Sequence, residues 1–169
     1  MERIEPDHDK YSAYLNQHLT ASDAGVKAFK AAAETWGDTP WEQVFLQLNS
    51  ELEGSHDKVK ALIARLGYEV STTRTILAGV AEVAGRFNPL NLTRDNDGLM
   101  TQMEFDGLAG ALRAQQMMWE TLVVLSEIDD RLDRAECQAM VDLCEDQRRR
   151  VVEASADTAI ARFTHDSVE

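Results

Sequence analysis

Residues 37–67 read GDTPWEQVFLQLNSELEGSHDKVKALIARLG, and this stretch decides the fold. Apolar or small residues recur at Trp41, Phe45, Leu48, Leu52, Ser55, Val59, Leu62 and Leu66, in unbroken alternation of four and three. That spacing returns to one side of an α-helix at every step, so it predicts an amphipathic helix with a single buried seam. Both ends are signposted. Thr39, Pro40 and Glu42 supply a cap and a proline at the first helical position. Gly67 supplies the residue that commonly closes a helix.

On the N-terminal side a second seam runs through Leu15, Leu19, Ser22, Val26, Phe29, Ala33 and Trp36, which predicts a helix over residues 9–36 that stops at Gly37-Asp38-Thr39-Pro40. The connection to the helix at 41–66 is short, so the two are expected to be antiparallel neighbours. On the C-terminal side the pattern changes. Residues 73–87 form a short helical candidate, and 88–98, rich in Asn, Asp, Pro and Gly, reads as irregular chain. Two further helices, over 98–130 and 134–163, are again separated by a short turn. The expectation is an all-α domain spanning 1–169: a four-helix bundle of two antiparallel hairpins, joined by a long crossover over 67–97. Gly107 and Gly110 are costly inside the third helix and point to close approach of another backbone. The segment Met117, Met118, Trp119, Leu122, Val123, Val124, Leu125 is apolar on more than one face, which calls for burial by the crossover, by a second copy or by another protein.

Composition narrows the function classes. Thirty acidic against 17 basic residues give a formal charge of -13, which disfavours nucleic acid and anionic membranes as partners. The start lacks a basic segment followed by an apolar one, and no apolar run approaches the ~18 residues of a membrane span. Cys137 and Cys144 stand two helical turns apart, ~10 Å along the axis, too far for an intrahelical disulfide. A reducing cytoplasm is the expected setting. No glycine-rich phosphate loop, nucleophile elbow, zinc-spaced cysteine pair or dinucleotide fingerprint occurs.

Three segments carry a family resemblance. Leu15-Asn16-Gln17-His18-Leu19-Thr20 is similar to the opening of the first helix in bacterioferritin-type proteins. Glu53-Gly54-Ser55-His56 reads as Glu-x-x-His. Met103-Glu104-Phe105-Asp106-Gly107-Leu108-Ala109-Gly110 resembles the glutamate-bearing segment of small stress-associated bacterial ferritin-like proteins. The chain thus resembles the ferritin-like superfamily over roughly residues 11–163, and a stress-related role is implied by that resemblance alone. Members with an intact centre bind two iron or manganese ions through one Glu from each of two helices and Glu-x-x-His from each of the other two. Carried over, the resemblance implies Glu53, His56, Glu104 and Glu145 as metal ligands, with Glu120 a rival to Glu104. Ser22, with Asp23 beside it, stands where the first helix should supply Glu. Arg148 stands where the fourth helix should supply His.

A guanidinium has no lone pair for a metal. One reading therefore keeps a reduced site on Glu53, His56, Glu104 and Glu145, helped by Asp23, in an oxidase or iron-handling enzyme. The preferred reading is that the centre is lost, Arg148 replaces the metal as an interior cation paired with Glu53 or Glu145, and the protein is a non-enzymatic binding or structural module with no cofactor. A plainer reading leaves Glu53 and His56 on a solvated flank with Asn49 and Lys60, one residue off the apolar seam. Cys144 and Cys137 read as small hydrophobes rather than thiolate ligands, and the methionines as core or interface filler.

Overall fold

The computed structural model describes residues 5–71 and 99–164, with the side chains of 99 and 100 left aside. The short helix expected over 73–87 and the irregular chain after it lie outside the described residues. Among those described there are four helices and no strand: α1 (His8–Thr35), α2 (Glu42–Arg65), α3 (Leu99–Leu125) and α4 (Arg134–Phe163). The fold is all-α. None of these helices is long and apolar enough to cross a membrane.

Local chemistry sets the ends. Asp7 caps α1 by accepting from the Lys10 N–H, and Asp133 caps α4 by accepting from Ala135 and Glu136. Thr39 organises the start of α2, though the helix itself begins at Glu42: its hydroxyl accepts from Trp41 N–H at 3.2 Å and donates to the Trp36 carbonyl at 2.6 Å. Gly67 adopts φ 79°, and the N–H groups of Gly67 and Tyr68 return to the carbonyls of Ala64 and Ile63. That is a Schellman closure, and the left-handed residue it needs is glycine. The third helix ends at Leu125, short of the expected 130, because residues 126–133 turn around Asp129. Asp129 accepts from the backbone and guanidinium of Arg131, which also donates to the Leu66 carbonyl at 2.9 Å. The connection is thereby tied to the end of α2.

The helices pack as two close pairs, α1 with α2 and α3 with α4, with α1 also meeting α3 and α2 meeting α4. Two apolar clusters fill the interior. The first joins the start of α1 (Tyr11, Leu15, Leu19), the end of α2 (Val59, Leu62, Ile63, Leu66), the end of α3 (Met118, Trp119, Leu122) and the start of α4 (Cys137, Met140, Cys144). The second joins the end of α1 (Phe29, Ala33, Trp36), the start of α2 (Phe45, Leu48, Leu52), the start of α3 (Phe105, Leu108, Leu112) and the end of α4 (Val151, Ala154). Of the α2 seam, Phe45 through Leu66 is buried and Trp41 is half-buried. In α3, Met118, Trp119 and Leu122 belong to the core, whereas Met117 and Val124 are exposed. A Cβ at Gly110 would meet nothing within 4 Å, so no described element makes the close approach expected there.

Candidate functional site: a polar layer between two cores

Between the two clusters the inward seam of each helix carries a polar residue: Ser22 on α1, Ser55 on α2, Gln115 on α3 and Gln147 on α4. Ser22 is half-buried; the other three are buried, Gln147 completely. In each case the residue three or four positions before belongs to one cluster and the apolar residues beyond lead into the other, which levels the four side chains with one another. This is the stratum where a centre held by all four helices would sit.

The chemistry of the layer is amide, hydroxyl and imidazole around one carboxylate–guanidinium pair. Gln147 Nε2 donates to Glu51 Oε2 at 3.1 Å, and Arg150 Nη2 donates to the same oxygen; Gln47 Nε2 reaches Glu51 Oε1 at 2.9 Å. Asp146 Oδ2 lies 3.0 Å from Arg150 Nε. Burial pushes the Glu51 carboxyl up, but the hydrogen bonds from Arg150 and Gln147 outweigh it and hold the group below its ordinary value. Ser55 donates to the Glu51 carbonyl, and Ser22 meets His56 Nδ1 at 2.9 Å while donating to the Leu19 carbonyl. Among the described residues, Gln115 Nε2 and Gln147 Oε1 have no hydrogen-bond partner.

The residues implied by the resemblance are distributed differently. Glu53 is exposed and accepts from Asn49 on its own helix at 3.1 Å. His56 is half-buried on Ser22, facing α1. Glu145 is exposed and accepts from Arg148 at 2.6 Å and from Gln116 at 3.0 Å; the Arg148 bond, then that of Gln116, keeps it below its ordinary value. Glu104 is half-buried beside Phe105 at the level of the second cluster, 11 residues and hence ~16 Å along the axis from Gln115. Its rival Glu120 pairs with Arg113 at 2.7 Å, and Asp23 pairs with Lys27 at 2.6 Å. Arg148 is one third exposed and pairs with Glu145 on its own helix, whereas the arginine joined to a carboxylate of another helix within the layer is Arg150.

Among the described residues, no group of three or more His, Cys, Asp or Glu side chains is arranged to hold a metal ion. A di-metal centre needs bridging carboxylates, and this layer offers amides and one carboxylate, Glu51, already paired with Arg150, so the residues present do not fit that group. Cys144 packs in the first cluster, where burial pushes its thiol up to about 12.

Sequence reasoning missed Glu51, Gln147 and Arg150, and also Asn16. Asn16 is buried, donates to the carbonyls of Ser12 and Glu69 at 3.0 Å each, and accepts from Ser71 N–H at 2.8 Å. It clasps the chain leaving α2 to the first helix. Its only signal was an amide beside the seam residue Leu15. Compared with known protein families, curated proteins and solved structures, the chain matches none.

Proposed function

We propose that this chain is a ferritin-like four-helix bundle whose di-metal centre has given way to a polar layer closed by an internal ion pair, and that it serves as a non-enzymatic structural or binding module. Connectivity supports the first half of the reading. The second halves of α2 and α3 share one cluster, so those helices run the same way, and Ser71 and Leu99 belong to opposite ends of the molecule. Two antiparallel hairpins related in this manner need a crossover, as ferritin-like bundles have.

The observation that carries the second half is the Glu51–Arg150 pair with Gln147. A guanidinium on the fourth helix neutralises a carboxylate of the second and leaves it no charge to offer a cation. Arg148, the residue expected in that role, attends Glu145 on the flank. The test is equilibrium dialysis of the full chain against iron(II) and manganese(II), with metal content measured afterwards. Substoichiometric, non-saturating uptake is expected. A stoichiometric ion lost on Glu53→Gln or Glu145→Gln would establish the oxidase or iron-handling alternative instead.

A further inference from the structure

The third helix has two seams. The inner one, Thr101, Phe105, Leu108, Leu112, Gln115, Trp119 and Leu122, is buried. Two residues further on at each step runs a second four-three alternation: Met103, Gly107, Gly110, Ala114, Met117, Thr121 and Val124, continued by Ile128 in the turn. Two residues turn an α-helix by ~200°, so this series lies on the face opposite the core. It contains no charged residue. All of its members are exposed except Gly107, which is half-buried; Met117 is 53% and Val124 64% exposed. The Thr121 hydroxyl is engaged by the Met117 carbonyl at 2.9 Å, which removes the seam's one polar group from the outer surface.

We propose that two copies of the chain associate through this outer seam, with their third helices antiparallel about a twofold axis between Ala114 and Met117. Size and charge both select that partner and that direction. With residue n opposite 231 minus n, Ala114 meets the second copy's Met117, Gly110 its Thr121 and Gly107 its Val124, so every small position faces a larger one. Parallel pairing sets each residue against itself, leaving glycine on glycine and methionine on methionine. Positions flanking the seam on one edge pair two residues off that rule, n with 233 minus n, which sets Arg113 against Glu120 of the other copy, twice by symmetry. Within one chain the same two residues already attract at 2.7 Å, so four alternating charges would ring the axis. Asp106 and Glu127 meet as like charges only at the ends, where solvent screens them. No described residue stands within 4 Å of a Cβ built at Gly110, which is what a second helix needs for close approach.

Sedimentation equilibrium on the full chain tests it. The mass is expected to rise with concentration from 18.9 kDa toward twice that value. Met117→Glu and Val124→Glu should each weaken the dimer by about a hundredfold, because symmetry buries the new carboxylate twice, while helix content, and melting at dilutions where the unaltered chain is also monomeric, stay unchanged. Arg113→Glu should weaken it by about tenfold, and adding Glu120→Arg should restore it. Under mild oxidation the double variant Gly110→Cys/Thr121→Cys should form a covalent dimer and Thr121→Cys alone should not. A monomer at every concentration, a dimer indifferent to Met117→Glu, or crosslinking by Thr121→Cys alone would each overturn the proposal.

Discussion

The two apolar clusters share four helices yet are built from different materials. The second is aromatic: Trp36, Phe45 and Phe105 stand 5.4–6.4 Å apart between ring centres, and the Arg162 guanidinium lies over Phe105 at 5.0 Å. The first is sulfur-rich, sets Tyr11 and Trp119 among aliphatic side chains, and has its end closed by polar contacts. There Tyr68 hydrogen-bonds His8 at 2.8 Å and accepts from Arg131, which also grips Asp129 and the Leu66 carbonyl. The difference teaches that an end can be closed either by large rings or by a network that satisfies backbone groups the turns leave over. The polar layer lies between the two.

The largest effect should come from breaking the aromatic half. Phe45→Ala removes a fully buried ring and is expected to destabilise by about 3–5 kcal/mol in calorimetric unfolding. Breaking the network at the other end should cost less. Arg131→Ala leaves the Asp129 carboxylate, 4% exposed, with only backbone partners, and about 1–3 kcal/mol is expected. In the layer itself, Arg150→Ala should also lower stability by about 1–3 kcal/mol, since Glu51 is only 22% exposed and loses its cation. Arg148→Ala should change it by less than about 1 kcal/mol, because its pair with Glu145 is solvated. Equal effects of the two arginine changes in urea titrations would remove the distinction drawn between them.

Acid sharpens the same comparison. The Arg131 side-chain bond, over the opposing effect of burial, holds Asp129 below its ordinary 3.8; in Glu51 burial is outweighed by Arg150 and Gln147, which hold it below 4.5. Each carboxylate is therefore more acidic folded than unfolded. Its contribution is complete above the ordinary value and disappears as pH falls through the folded one. Melting temperature should stay level from neutrality to about pH 5 and then drop. Asp129→Asn and Glu51→Gln should each flatten that drop while lowering the neutral plateau, and an unchanged acid limb in both would contradict these assignments.

Much of the helical skeleton was legible in the sequence because a four-three seam is a local signal. Each step of Phe45, Leu48, Leu52, Val59, Leu62 and Leu66 needs only its own helix to be read. The layer was not legible, because it exists only when four registers are aligned. Ser22 and Ser55 look like ordinary small seam members until Gln115 and Gln147 arrive at their level. The arginine exchange has a similar origin. With Gln147 and Val151 turned inward, Arg148 falls on the flank toward Gln116 and Glu145, while Arg150 falls toward Glu51 on α2. The run of three arginines gives no hint of which one crosses. The outer face of the third helix was visible as an excess of apolar residues, but its division into buried Met118, Trp119 and Leu122 and exposed Met117 and Val124 required the helix's neighbours.

Cys137 and Cys144 both lie wholly covered in the first cluster, and burial raises both thiols. A thiol-modifying reagent can react only with molecules whose first cluster has opened, so the labelling rate is a clock for that opening. The chain thus carries its own reporter for the sulfur-rich half, and no fluorophore or engineered probe is needed to ask whether the two halves come apart together or one before the other.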